Sequence, residues 1–300
     1  MASTRYAADK GLVRRMVGTL FGLGLLYVIL AAVLIAIGVQ TWFVLLISGG
    51  MLFFQWYFSD VMALRSMRAV EVTAEQAPEL HAMIDRLCAL ADMDKPRVAV
   101  ADTEVPNAFA TGRSPKRAVV VVTTGILRRL ETDELEGALS HELSHVAHRD
   151  VTVMTVASFA GVLAGLLTRM WLWGGMGRRD NRDQNAALMM LVVLLVSVVV
   201  YVLSFLLTRA LSRYRELSAD RTGALLTGNP TALASALQKV SGDISGIPDA
   251  DLRSMESVSA FAFAPALTSK ASISTLFSTH PPLEKRLEQL AQIATQLGTR

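Results

Sequence analysis

The chain has 300 residues and a formal net charge of +3; 52% of its residues are hydrophobic and only 18% are charged. Soluble domains carry about 25% charged residues. The mean hydropathy of +0.41 excludes an intrinsically disordered chain, because disorder requires low hydrophobicity. Cys88 is the single cysteine, which excludes an internal disulfide framework and a four-cysteine zinc knuckle. The small net charge gives no indication of nucleic-acid binding, so the composition favours a membrane protein.

Three long uncharged stretches predict four transmembrane helices in two hairpins. Residues 16–59 carry no charge. As one helix they would be about 66 Å long, enough to cross a hydrocarbon core of about 30 Å twice. The turn of this hairpin is predicted at Gly38–Trp42, and the run is too long for a cleaved signal peptide. A second hairpin is predicted at 151–208, from the uncharged runs Val151–Thr168 and Asn185–Thr208.

The remaining segments are the N-terminus, residues 1–15, and two soluble pieces, residues 60–150 and 209–300. With four spans, all three lie on the same side of the membrane. They carry most of the Lys and Arg residues, which predicts a cytoplasmic location for them in an inner (plasma) membrane. Together the two soluble pieces are long enough to build one hydrophobic core.

The first soluble piece has the pattern of an α+β fold. Residues 75–91 show helical spacing of apolar residues, and 98–100 and 118–122 are short β-rich runs. With the segment 107–112 between them, they predict a small antiparallel sheet of about three strands. Asp133 and Glu136 form a D-x-x-E pattern that predicts the N-cap of a helix running on to about Arg149.

That predicted helix carries the motif H-E-x-x-H, at His141–His145. Residues four apart lie on one helix face, so both imidazoles can reach one Zn²⁺ ion. Glu142 lies about 100° further round the helix. It is therefore poorly placed as a ligand and well placed to accept a proton from a water molecule. The alternative is two surface histidines on an ordinary helix.

A catalytic zinc site needs three protein ligands, so a third must come from elsewhere. Glu216 and Asp220 follow the fourth predicted span and are again four residues apart. Glu216 can bind zinc, and Asp220 can hold the far nitrogen of a ligating imidazole. An ordinary charged helix next to the membrane is the alternative. His148 competes for the ligand role, but it lies about 10 Å along the helix axis from His141.

His280 precedes a Pro-Pro pair and an amphipathic helix. One interpretation makes Thr279 or His280 a cap of that helix. Alternatively, His280 donates a hydrogen bond to the oxyanion of a tetrahedral intermediate. The residues alone leave both interpretations open.

Nearly the whole chain resembles the HtpX-type integral-membrane zinc metalloproteases, with more distant kinship to the CAAX prenyl endopeptidases. The resemblance rests on N-A-F-A-T-G at 107–112, H-E-L-S-H at 141–145, R-E-L-S-A-D at 215–220 and S-T-H-P-P at 278–282.

This resemblance implies a membrane-anchored, zincin-like metalloprotease domain with one Zn²⁺ and Glu216 as the third ligand. It also implies a substrate-binding edge strand near Asn107 and Phe109, with His280 and Arg286 near the reaction centre. The expected substrates are peptide bonds of damaged membrane proteins, in a quality-control or stress response. A prenyl-protein endopeptidase and a non-enzymatic membrane scaffold are the alternatives. Four spans are too few to enclose a membrane chamber for the former, and the long uncharged runs lack the ionisable residues of the latter.

Overall fold

The computed structural model describes residues 10–36, 41–150, 153–154, 184–245 and 281–298. The chain divides into two compact units. The first comprises residues 1–12, 58–152 and 212–300, and the second comprises 13–57 and 153–211.

The described residues of the second unit lie in apolar helices. Among the residues that the structure describes, two helical segments are long and apolar enough to cross a membrane, Lys10–Ala36 and Leu191–Thr227. A shorter apolar helix covers Thr41–Tyr57, where the second span is predicted. The third predicted span, Val151–Thr168, lies almost entirely outside the described residues, so the four-helix count stays a prediction.

The helices and strands are numbered here in chain order over the described residues. The helices are α1 (Lys10–Ala36), α2 (Thr41–Tyr57), α3 (Ser59–Ser66), α4 (Pro78–Ala91), α5 (Thr124–Arg129), α6 (Thr132–Ala147), α7 (Gln184–Thr227), α8 (Pro230–Ser245) and α9 (Leu283–Gly298). The strands are β1 (Val70–Glu71), β2 (Arg97–Ala101), β3 (Ala108–Thr111) and β4 (Val119–Thr123).

The four strands form one sheet in the order β1-β2-β4-β3. The prediction of an antiparallel sheet is wrong, because β2 and β4 are parallel, with Val98 opposite Val120. Strand β1 pairs with β2 and β3 pairs with β4 in the antiparallel sense. The run of four valines in β4 is the signal that was misread. An uninterrupted apolar run is typical of a strand that is buried on both faces, as parallel strands usually are.

The core lies on both faces of this sheet. Val120 and Val122 face a large cluster formed by α4, α6, α8 and α9. Val119 and Val121 face the opposite side, where Phe109 of β3 and Ala63 of α3 complete a smaller cluster. Helix α6 therefore packs against the sheet with its buried side and is held in place along most of its length.

Helix α6 begins earlier than predicted. Its N-cap is Glu131 rather than Asp133, in a reciprocal capping box with Glu134. Glu134 also accepts hydrogen bonds from Ser235 Oγ and Lys239 Nζ of α8. The long-range contacts with α8 add to the capping box and favour Glu134, not Glu136, as its acidic partner.

Candidate metal centre

Three side chains that lie up to 75 residues apart in the sequence converge inside the first unit. His141 and His145 come from α6, and Glu216 comes from α7. One nitrogen or oxygen atom of each lies within 4.8 Å of the others, and all three residues are buried. The structure thus brings together the three residues that the sequence analysis expected to hold a metal ion.

The two oxygens of Glu216 face one imidazole each. His141 Nε2 lies 3.4 Å from Glu216 Oε2, and His145 Nε2 lies 3.4 Å from Glu216 Oε1. A zinc ion bound tetrahedrally at about 2.0–2.2 Å separates its ligand atoms by about 3.3–3.6 Å. Two imidazoles and a carboxylate are also the donor set of many catalytic zinc sites. The residues present therefore fit the ion that the motif implies.

The far nitrogen of each imidazole faces a buried carboxylate. His141 Nδ1 lies 2.9 Å from Asp220 Oδ1, and His145 Nδ1 lies 2.7 Å from Asp150 Oδ2. A carboxylate in this position accepts a hydrogen bond from Nδ1–H. This bond fixes the tautomer of the imidazole and leaves the Nε2 lone pair for the metal. Both imidazoles are thus held ready to bind one ion.

Each carboxylate is in turn paired with an arginine. Arg286 of α9 donates from Nε and Nη2 to the two oxygens of Asp220, at 2.7 and 2.6 Å. Arg215 Nε lies 2.9 Å from Asp150 Oδ2. Burial alone would raise the pKa of both carboxyls, but the guanidinium groups and the facing imidazoles together outweigh it and lower the pKa values of Asp220 and Asp150. The carboxylates therefore remain ionised behind the histidines.

Asp150 reaches His145 because the chain reverses directly after α6. The helix ends at Ala147, and His148 is its C-cap. Arg149 then adopts a left-handed conformation with φ of 58°, which turns the chain back and brings the next residue to the imidazole. His148 is not part of the group of converging ligand atoms.

Glu142 is held with one oxygen against β3 and the other near the centre. Its Oε2 accepts a hydrogen bond of 3.0 Å from the backbone N–H of Ala110, while its Oε1 lies 4.0 Å from His141 Nε2. Burial raises the pKa of Glu142, although the two neighbouring histidines oppose the shift. The arrangement suits a carboxylate that exchanges protons beside the metal position.

The other predicted site residues lie on or near β3, in α9 and outside the described residues. Asn107 immediately precedes β3, and its C=O accepts a hydrogen bond from the N–H of Thr123. The side chain of Phe109 belongs to the core and is 1% exposed. Arg286 is 1% exposed and contacts Asp220, the carboxylate that faces His141, and the expected part of Arg286 in substrate binding stays a prediction. His280 lies outside the described residues.

Sequence reasoning missed Asp150 and Arg215. In the sequence, Arg215 is only the first residue of the R-E-L-S-A-D motif, and Asp150 is only the last residue before an uncharged run. The sequence does show an acidic residue about one turn after H-E-x-x-H. However, the turn at Arg149 that brings this residue to His145 contains no glycine or asparagine, the residues that usually mark a left-handed turn.

Residues 74–294 match the peptidase family M48. The chain is 55% identical over 300 residues to "Protease HtpX homolog 1" of Streptomyces coelicolor, covering 98% of this chain and 97% of that protein. It is 49% identical to "Protease HtpX homolog" of Moorella thermoacetica, covering 98% of each.

A solved structure, that of Ste24p from S. mikatae, resembles the fold with a TM-score of 0.53 at 15% sequence identity. The match covers 89% of this chain but spans only 62% of that longer chain. At this identity the similarity concerns the fold alone.

Proposed function

The chain belongs to peptidase family M48 and is a membrane metallopeptidase. We propose that it is a zinc-dependent endopeptidase that hydrolyses peptide bonds of damaged or misfolded membrane proteins. The observation that carries the zinc assignment is the convergence of His141, His145 and Glu216, with each Nε2 atom 3.4 Å from a carboxylate oxygen. The HtpX names of relatives at 49–55% identity support the class of enzyme.

In the proposed reaction, the zinc ion and the side chains of the protein have separate roles. When bound, Zn²⁺ supplies a Lewis acid that polarises the substrate carbonyl and makes a water molecule more acidic. Glu142 accepts the proton of the attacking water at Oε1 and passes it to the leaving amine as the peptide bond breaks. The hydrogen bond from Ala110 to Oε2 keeps the other oxygen directed at the reacting atoms.

Strand β3 is the proposed binding edge for the substrate backbone, because it is the last strand of the sheet. Asn107 pairs with Thr123 through hydrogen bonds, and such pairs alternate along an antiparallel ladder. The peptide groups of Ala108 and Ala110 therefore face away from β4. Both residues are buried, and the N–H of Ala110 bonds Glu142. The substrate backbone is therefore proposed to pair with the N–H and C=O of Ala108 once what covers this edge has moved.

The orientation in the membrane is proposed from the distribution of positive charge. Residues 1–15, 60–150 and 209–300 hold most of the Lys and Arg residues, which favours the cytoplasmic face of a plasma membrane. Reporters fused after Arg300 and inserted at 112–116 should both report the cytoplasm, and one at Asn181 the opposite side. A cytoplasmic signal at Asn181 would contradict two complete hairpins.

The variant Glu142→Gln tests the proposed chemistry, because it keeps the size of the side chain and removes the base. Loss of a general base reduces turnover by about 10²–10⁴-fold, while zinc content should equal that of the wild type. Glu136→Gln is the matched control, since Glu136 is on the same helix but contacts Arg86. Zinc content and cleavage of casein and of a destabilised membrane protein are measured in parallel.

Near-normal cleavage by zinc-loaded Glu142→Gln would contradict the role of Glu142. Cleavage confined to farnesylated peptides would contradict the proposed substrate class and favour a prenyl-protein endopeptidase. Activity that survives removal of zinc by a chelator would contradict metal-dependent hydrolysis.

A further inference from the structure

Gly223 lies where α7 approaches α6 with almost no space between the two backbones. A Cβ atom added at this position would lie 2.8 Å from Ser140 Oγ, 3.0 Å from the backbone N of His141 and 3.2 Å from its Cα. Ordinary van der Waals contacts of a Cβ atom are 3.4–4 Å. Only a residue without a side chain fits between the helices here.

Gly223 shares a helix face with the residues of α7 that reach the histidines. Glu216, Asp220 and Gly223 are spaced four and three residues apart, which places them on one stripe of α7. Asp220 is about 4.5 Å and Glu216 about 10.5 Å from Gly223 along the axis. The stripe that supplies the proposed ligand and the partner of His141 therefore also carries the glycine that lies against the backbone of α6.

We propose that Gly223 is a positioning residue that sets the distance between α7 and α6 and thereby places Glu216 and Asp220 at the two imidazoles. The inference rests on the proposed zinc site but adds a determinant that binds neither metal nor substrate. The distance between the helices matters to this site, because two ligand atoms of one tetrahedral zinc ion lie about 3.3–3.6 Å apart and each imidazole nitrogen lies 3.4 Å from an oxygen of Glu216.

A methyl group at position 223 cannot be accommodated by side-chain rotation alone. Ser140 Oγ could rotate away, although this would break its hydrogen bond of 2.7 Å to the C=O of Gly137. The backbone N and Cα of His141 cannot rotate away, and α6 is fixed by its packing in the core. The helices must therefore separate by a few tenths of an ångström, which lengthens the contacts of Asp220 and Glu216 with the histidines.

The test is the zinc dissociation constant of full-length Gly223→Ala in detergent, measured by competition with a chelator. Loss of support for a metal ligand typically lowers affinity by 10- to 100-fold, and we expect a decrease of about this size. The absorption spectrum of the Co²⁺-substituted protein provides a second readout, because it reports the ligand geometry and not turnover. We expect it to change as well.

Two other helical glycines serve as matched controls. A Cβ atom at Gly137 of α6 would lie 3.0 Å from the backbone N and Cα of Leu233 in α8, so Gly137→Ala introduces comparable strain away from the ligands. A Cβ atom at Gly242 would meet nothing within 4 Å. Folding is compared by thermal unfolding of the metal-free proteins. Gly137→Ala should lose stability but keep its zinc affinity, and Gly242→Ala should keep both.

The double variant Ser140→Ala/Gly223→Ala relieves the shortest contact and leaves those with the backbone of His141. We expect it to recover part of the zinc affinity, with Ser140→Ala alone close to the wild type. Wild-type affinity in Gly223→Ala would overturn the inference, as would an equal loss in Gly137→Ala or no recovery in the double variant. A wild-type protein that binds no zinc would contradict the proposed function and this inference together, which distinguishes the two failures.

Discussion

Each histidine of the candidate centre faces a buried carboxylate that pairs with an arginine, but the two carboxylates are positioned in different ways. On the His141 side, Asp220 is bound by two nitrogens of a fully buried Arg286. On the His145 side, Asp150 is positioned by a local reversal of the chain and lies 2.9 Å from Arg215 Nε. Packing between distant elements creates one support, and the end of a single helix creates the other.

This difference predicts that mutations on the two sides have different effects on stability and on metal binding. The His141 side is part of the fold, because Arg286 links α9 to α7 through a buried ion pair. The His145 side depends mainly on local structure, because Asp150 lies only five residues along the chain from the imidazole that it contacts. Mutations should therefore affect stability more on the first side and metal binding more selectively on the second.

The largest effect is expected for Arg286→Met. The variant leaves the carboxylate of Asp220 buried without its guanidinium partner, and breaking a buried pair in this way costs about 3–5 kcal/mol. We expect the free energy of unfolding to fall by this amount. The neighbouring Lys285→Met is the control, because Lys285 is exposed and should change stability little. Equal unfolding midpoints for the two variants would contradict a structural role for the His141 side.

A smaller and more selective effect is expected for Asp150→Ala. Without the carboxylate, His145 loses the acceptor that fixes its tautomer, and zinc affinity should fall by about 10- to 100-fold. Arg215 Nη2 lies 3.4 Å from His145 Nδ1 and would then face this nitrogen directly. Zinc competition and chemical unfolding are measured together, with Asp133→Ala at the exposed start of α6 as the control.

Arg215→Met sharpens the same comparison. In the Asp150→Ala background it removes the guanidinium beside Nδ1, so we expect zinc affinity to recover in part. A further decrease would show that Arg215 supports His145 directly. A loss of stability in Asp150→Ala as large as that in Arg286→Met would remove the distinction between the two sides.

The same contrast explains how much of the site the sequence could predict. His141, His145, Glu216 and Asp220 were found because each pair is four residues apart on a helix, and helical spacing can be read directly from a sequence. Asp150 was missed because its placement depends on a left-handed residue, Arg149, that carries no recognisable turn signal. Arg286 was placed near the centre only by resemblance, and the sequence holds no sign of its pairing with Asp220.

The fold shows a similar limit. Residues 75–91 were predicted as a helix and 98–100 and 118–122 as strands, close to the observed Pro78–Ala91, Arg97–Ala101 and Val119–Thr123. The direction of pairing was predicted wrongly, because local pattern identifies a strand but not its neighbours. The contact between Gly223 and His141 is likewise invisible in the sequence, where a glycine inside a helix looks only unfavourable.

The central claim is that His141, His145 and Glu216 hold one zinc ion, and equilibrium dialysis against zinc tests it most directly. Wild type and His148→Ala should each retain about one zinc per chain at a chelator concentration where Glu216→Ala retains almost none, because two protein ligands are too few for a tight catalytic site. Full zinc occupancy in Glu216→Ala together with loss in His148→Ala would contradict the assignment and make His148 the third ligand.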